Sequence, residues 1–262
     1  MKSFTLDING SNYKLLGYED KNIYESHLKD LSLYKCIDYD CVIDIGANIG
    51  ITTLYFSQLA SQVFAFEPNL DSFNVLVDNL KLNKISNVSP LNLGCGNKRM
   101  SKKLVKYSQN RSSDFILTNS FIPHTDHDTE SIDLVNLDHF VNKYKLAKIH
   151  LIKIDVEGYE LSVLAGSIKT LRIFQPVVIL EMNSFCLNVL HSVALPTFVT
   201  SLKRIFPILF AIDGLTFLDL HSDNDAYHVM YENVVNKRYF TVLGCFAEVQ
   251  IAKFKKEFTY GV

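Results

Sequence analysis

Glycine and proline are sparse, 11 and 6 among 262 residues, which excludes fibrous and low-complexity architectures. Cysteine is also scarce and unpatterned. Cys36, Cys41, Cys95, Cys186 and Cys245 are odd in number and never form C-x-x-C, against a zinc knuckle or a disulfide framework. Reduced, mostly buried thiols and a cytoplasmic setting are expected. Charge is nearly balanced, 26 Lys and Arg against 28 Asp and Glu, so no global basic field draws in nucleic acid or anionic membrane. The longest apolar stretch, 205–212, is broken by Pro207 and is too short to cross a bilayer. The first 20 residues hold no apolar core of a signal peptide, so no secretory leader is expected. What remains, 48% hydrophobic and 21% charged, is the balance of a globular protein long enough to bury a core.

The middle of the chain alternates short apolar runs with helical periodicity. Residues 41–45, 63–66, 88–93, 151–154 and 177–180 read as strands. Ile51, Leu54, Tyr55 and Leu59 mark one intervening helix face. Phe73, Leu76, Val77 and Leu80 mark a second, with Asn69 or Asp71 as N-cap, and Leu161, Leu164, Ile168 and Leu171 a third. Such units imply an α/β protein with a mostly parallel sheet covered on both faces. Residues 97–131 are polar and aperiodic, a functional loop or an embedded hairpin. A helix near 196–206 and strands at 210–212 and 239–245, some antiparallel, complete one domain over 41–262, with 1–40 as an N-terminal extension packed on it.

The strongest local signal is Val42-Ile43-Asp44-Ile45-Gly46-Ala47-Asn48-Ile49-Gly50, a strand entering a glycine turn and then a helix. Gly46 permits a positive φ and close approach of a ligand, and Gly50 lets the helix start close to the strand. The exposed N–H groups of that helix start favour an electron-rich group. The dinucleotide pattern G-x-G-x-x-G needs glycine where Asn48 and Ile51 stand, so a bridging diphosphate is disfavoured. Glu67 closes the next strand, where a carboxylate accepts hydrogen bonds from both ribose hydroxyls of an adenosine. Alone it does not choose between NAD and S-adenosylmethionine. With this turn it favours a nucleoside lacking a diphosphate, and Asp44 would then pair with the ligand's ammonium group, directly or through water.

D-I-G-A-N-I-G at 44–50, F-E-P at 66–68, L-D-H-F at 137–140, I-K-I-D-V-E-G-Y-E at 152–160 and P-V-V-I-L-E at 176–181 follow in order along 40–185. Together they resemble the FkbM-type S-adenosylmethionine-dependent methyltransferases. The resemblance implies a Rossmann-like class I methyltransferase fold, with a mostly parallel seven-stranded sheet, helices on both faces and one reversed strand. It implies S-adenosylmethionine as cofactor and O-methylation of a hydroxyl on a sugar, glycan or related small molecule. Carried over by position, it puts the methionine moiety at Asp44, Gly46 and Asn48, with Gly50 in the same turn. The ribose falls at Glu67, the adenine beside Gly94 and Cys95, and the sulfonium beside Asp155.

An alcohol acceptor must lose a proton as it attacks, and Asp155 and Glu157 are the candidate catalytic groups, two repelling carboxylates one residue apart. Asp155 with Glu181 and Asn183 offers three hard oxygens, similar to catechol-type O-methyltransferases. Mg²⁺ is weighed on that ground, but the resemblance does not require it and no residue is assigned to a metal. His124, Asp126, His127 and Asp128 are expected to form a solvated loop, with His127 reaching the acceptor only if that loop closes. Lys153, two before Asp155, is similar to the Lys–Asp pair of RNA ribose methyltransferases, though structural in a strand of Leu and Ile. Lys98, Arg99, Lys102, Lys103 and Lys106 read as a solvated face rather than a nucleic-acid groove. The rival functions are an RNA ribose 2'-O-methyltransferase and a non-catalytic scaffold that keeps the cofactor pocket.

Overall fold

A computed structural model describes residues 1–28, 31–37, 39–106, 114–118 and 128–261. The chain opens with an antiparallel hairpin, β1 (Lys2–Ile8) and β2 (Ser11–Gly17), then two short helices, α1 (Lys21–His27) and α2 (Ser32–Lys35). The alternating core follows: β3 (Cys41–Ile45), α3 (Ile51–Leu59), β4 (Gln62–Phe66), α4 (Leu70–Leu82) and β5 (Val88–Leu91). A small inserted sheet is built from β6 (Gly94–Cys95), β7 (Met100–Lys106), β8 (Phe115–Ile116) and β9 (Asp128–Val135). The chain then returns through α5 (Leu137–Tyr144), β10 (Leu151–Ile154), α6 (Glu160–Ala165), α7 (Ile168–Phe174) and β11 (Val177–Glu181). It ends with α8 (Leu195–Ile205), β12 (Ile208–Asp213), β13 (Thr216–Asp219), α9 (Asp223–Asn236), β14 (Thr241–Cys245), α10 (Phe254–Glu257) and β15 (Thr259–Tyr260).

The main sheet has the order β15-β13-β12-β14-β11-β10-β3-β4-β5. Among the described residues it therefore holds nine strands rather than the expected seven, because β13 and β15 extend it beyond β12. Strands β5, β4, β3, β10 and β11 are parallel, and β14 runs antiparallel between β11 and β12, the reversed strand that the resemblance implied. The expected third strand, 88–93, stops at Leu91, and Pro90 is tolerated because β5 is the sheet edge. The polar region 97–131 is an embedded sheet in its described parts, with β7 pairing antiparallel to β9 and β8.

The central strands are buried on both faces, and their residues alternate between two cores. Val42, Val63, Ala65, Leu151 and Ile179 face α3, α4 and the N-terminal hairpin. Ile43, Ile45, Phe64, Phe66, Ile152 and Ile154 face α5 to α9. Asn79 of α4 ties the hairpin down: its side chain accepts from Leu16 N–H at 2.7 Å and donates to the Leu16 carbonyl at 3.1 Å. No helix among the described residues is long and apolar enough to cross a membrane. From β3 the chain runs outward one way through β4 and β5, and the other way lie β10 and β11. This reversal leaves a crevice at the carboxyl ends of the strands, where open α/β sheets bind ligands.

Candidate active site

That crevice is a cleft of about 340 Å³. Of the residues expected to bind or react, Gly46, Asn48, Glu67, Cys95, Asp155 and Glu157 line it, as does Glu181. Asp44 and Gly50 do not. Asp44 is wholly buried behind the turn, where its carboxylate accepts from Thr53 Oγ1 at 2.6 Å and lies 3.5 Å from Lys153 Nζ. β3 is covered on both faces and Asp44 points into the α3 side, off the cleft lining, which leaves the expected pairing with the ligand's ammonium only its water-mediated form. Gly50 is the left-handed cap of α3 (φ +95°), and a Cβ there would fall 2.4 Å from Leu76 Cδ1, so close packing against α4 also requires glycine.

The glycine turn is held from three sides. Gly46 and Ala47 both donate N–H groups to the Phe66 carbonyl at 3.0 Å, joining the turn to the end of β4. Lys153 Nζ donates to the Gly46 carbonyl at 3.1 Å and pairs with Asp155 Oδ2 at 3.2 Å. Residues two apart on a strand share a face, so the spacing from Lys153 to Asp155 suits this pairing. Burial disfavours the Lys153 ammonium, but the charges of Asp155 and Asp44 outweigh it and raise its pKa. This ammonium thus has three partners of its own chain, Asp44, Asp155 and the Gly46 carbonyl.

Glu67 directly follows β4 with each carboxylate oxygen held: Oε2 accepts from Asn48 N–H at 2.8 Å and Oε1 from Asn69 N–H at 2.9 Å. Asn69 is also the N-cap of α4, accepting from Asp71 and Ser72 N–H. Burial pushes the Glu67 pKa up to about 7 despite these donors.

At the other end of the cleft, carboxylate oxygens of Asp155, Glu157 and Glu181 lie within 4.8 Å of one another. Burial, then the Asp155 charge, pushes Glu157 up to about 8 and Glu181 well above the usual carboxylate range. The following helix has Tyr159 as its N-cap, without a side-chain cap hydrogen bond, so Glu157 does not cap it. Glu160 is buried and pins the turn before that helix, accepting from Val156 and Gly158 N–H at 3.3 and 3.1 Å. Asn183, the third oxygen of the Mg²⁺ reading, turns its amide nitrogen to the cluster, donating to Glu181 Oε1 at 3.5 Å. Its side-chain oxygen accepts from Phe185 and Cys186 N–H at 3.1 and 3.4 Å, and Glu157 is the third carboxyl beside Asp155 and Glu181. Cys186 and His191, which contact Glu157, carried no sequence signal beyond being a lone thiol and a lone imidazole.

The His124, Asp126 and His127 expectation lies outside the described residues, and Asp128 is exposed at the start of β9. Among the basic residues, Lys106 is tied to Asp71 and Glu130 at 2.8 and 3.2 Å. The rest lie on or just before β7, and the partner strand β9 carries Asp128, Glu130 and Asp133, which offset their charge.

Residues 44–192 match the model of the methyltransferase FkbM domain, more than half of the chain. The chain belongs to the FkbM methyltransferase family. Methyltransferase 1 of Beauveria bassiana is 28% identical over 162 residues, covering 53% of this chain and 65% of that protein. Hexuronic acid methyltransferase AglP of Haloferax volcanii is 32% identical over 142 residues, covering 54% of this chain and 56% of that protein. The match thus spans less than two thirds of either relative. Among solved structures, methyltransferase FkbM of Methylobacillus flagellatus superposes with a TM-score of 0.45 at 18% identity, over 65% of this chain and 38% of the other.

Proposed function

We propose that this FkbM family member is an S-adenosylmethionine-dependent O-methyltransferase acting on a hydroxyl of a sugar, glycan or related small molecule. The observation that carries it is one cleft with a ribose-type acid, Glu67, on one wall and three clustered carboxyl groups, Asp155, Glu157 and Glu181, on another. The relative named for hexuronic acid methylation supports a carbohydrate-like acceptor.

The residues fit this cofactor. Each Glu67 oxygen has a further acceptor site beyond the one used by Asn48 or Asn69, as two neighbouring ribose hydroxyls require. Gly46 and Asn48, both at positive φ, bring the turn backbone to the cleft surface, and Cys95 adds an apolar, buried wall. When bound, S-adenosylmethionine supplies an electrophilic methyl group on a positively charged sulfur. Asp155, held by Lys153, presents negative charge to the cleft. Glu157, more basic than an ordinary carboxylate, takes the proton of the acceptor hydroxyl. Glu181 hydrogen-bonds the acceptor in its protonated form. No Mg²⁺ is part of this reading.

Calorimetric titration with S-adenosylhomocysteine, with NAD in parallel, tests the cofactor. Micromolar binding of S-adenosylhomocysteine alone is expected, and binding of NAD alone overturns the reading. Transfer of radiolabelled methyl to a panel of neutral sugars, hexuronic acids and glycans then tests the acceptor class. Methylation of RNA in place of any sugar would overturn it.

A further inference from the structure

Glu157 sits in backbone that a non-glycine residue adopts only under constraint. Its φ is +52°, and Gly158 follows at +96°. Such left-handed positions persist where the surroundings over-determine them, and they cluster at functional sites. The constraint comes from a segment outside the parallel core, the π-helical turn Cys186–Leu190 that follows β11, together with His191.

Three contacts join this segment to the Glu157 turn. Cys186 Sγ donates to Glu157 Oε2 at 3.0 Å. His191 Nε2 lies 3.0 Å from the Glu157 carbonyl oxygen, and because a carbonyl only accepts, Nε2 carries the proton. The other ring nitrogen, Nδ1, is buried without a partner, as suits a neutral imidazole. Gly158 packs flush on the same segment: a Cβ there would fall 2.5 Å from His191 Cδ2 and 2.7 Å from the Cys186 carbonyl.

The segment is itself anchored. Asn183 caps its start, Ser184 N–H donates to Asn233 of α9 at 3.2 Å, and Asn233 donates to the Met182 carbonyl at 2.8 Å. Wide π turns recur at functional sites because they re-aim side chains that an α turn would bury. Here the turn aims a thiol at a carboxylate. Burial, with Glu157 adding to it, pushes the Cys186 pKa up, so the sulfur keeps its proton and remains a donor.

We propose that Cys186 and His191 are the positioning residues of Glu157: the imidazole fixes its backbone, and the thiol occupies Oε2 so that Oε1 is the oxygen presented to the acceptor hydroxyl. This rests on Glu157 being the group that takes the acceptor proton. It gives the 186–191 segment a share in the reaction although neither side chain touches the acceptor.

The thiol contact has a signature independent of turnover. The infrared S–H stretch of Cys186, isolated as wild type minus Cys186→Ala, should lie below that of a thiol without an acceptor. It should move upward in Glu157→Gln, where a neutral amide replaces the carboxyl. A band that Glu157→Gln leaves in place overturns the proposal. Its part in the reaction is read with an acceptor from the sugar panel. Cys186→Ala should lower kcat about tenfold, the worth of a hydrogen bond to a charged group, with S-adenosylhomocysteine affinity unchanged and recovery in Cys186→Ser. Unchanged kcat, or equal losses of kcat and cofactor affinity without recovery by serine, also overturns it. If S-adenosylhomocysteine does not bind the wild-type chain, the cofactor reading fails by itself, and the infrared result still decides the Cys186–Glu157 contact.

Discussion

Gly46 lies directly against the carbonyl of Asp155: a Cβ on Gly46 would fall 1.8 Å from that oxygen. The turn after β3 thus meets the end of β10 backbone on backbone, and the φ of +83° at Gly46 adds a second demand for glycine. Gly46→Ala should cost at least about 2 kcal/mol of folding stability from the left-handed backbone and the clash together. The same change should abolish S-adenosylhomocysteine binding. Denaturant unfolding and calorimetry check the two halves, and wild-type affinity in Gly46→Ala would remove the turn from the cofactor site.

Glu67→Gln tests the ribose assignment without changing side-chain volume. Both Glu67 oxygens accept backbone N–H groups, and an amide offers only one oxygen, so one of Asn48 and Asn69 would face an NH₂. Affinity for S-adenosylhomocysteine should fall by about 10- to 100-fold, the range for a lost hydrogen bond to a charged group. In the wild type, affinity should rise as pH passes about 7, because the ionised carboxylate is the better acceptor. Isothermal titration across that range reads both effects, and a flat profile would put the ribose elsewhere.

The strand–turn–helix at 41–59 and the acids Glu67 and Asp155 were legible because they are local. A run of apolar residues ends at a glycine, and the acid follows at a strand end. What Asp44 does was not legible, since within a strand buried on both sides only tertiary packing says whether a carboxylate meets ligand or Thr53. The inserted sheet was obscured because β7 and β9 mix lysines and acids that pair across the ladder instead of alternating cleanly with apolar residues. Cys186 and His191 were invisible because a side chain that acts through another residue leaves no spacing rule behind.

Stability should fall with rising pH in the absence of ligand. Glu67 and Glu160 are pushed up to about 7 and Glu157 to about 8, each mainly by burial, from an ordinary 4.5. A carboxyl whose folded pKa exceeds its unfolded one binds its proton more tightly when folded. Its contribution is therefore complete below the unfolded value and is lost as pH rises through the folded value. The melting temperature should drop by several degrees from the ordinary carboxylate range to above pH 8, with Glu181 adding to the slope in the same direction. A melting temperature that rises steadily over that interval would contradict the burial of these acids.

Glu157→Gln should leave S-adenosylhomocysteine affinity near the wild-type value while lowering turnover by about 10²- to 10⁴-fold, the usual contribution of a positioned base. Wild-type turnover should climb with pH through about 8, as Glu157 loses its proton and becomes able to accept one. Glu160 and Glu181, whose pKa values burial also raises, lie beside it, so the limb belongs to these acids together. Stopped-time methyl-transfer assays over that range check the limb, and a profile unchanged in Glu157→Gln would give the proton to another residue.

Lys153 holds two carboxylates and a carbonyl from beneath the cleft, and its loss should be felt first as instability. Asp44 is wholly buried with Lys153 as its nearest cation, so Lys153→Met leaves an uncompensated charge in the core. Breaking such a pair from one side costs about 3–5 kcal/mol. Lys153→Met combined with Asp44→Asn removes both charges and should recover much of that loss, which separates the buried pair from the packing of the lysine stem. The double variant still lacks the donor to the Gly46 carbonyl and the partner of Asp155, so cofactor affinity should stay low while the fold returns. Urea unfolding of the two variants, with S-adenosylhomocysteine titration of the double variant, reads these separately. Affinity that returns along with stability would make Lys153 a purely structural residue.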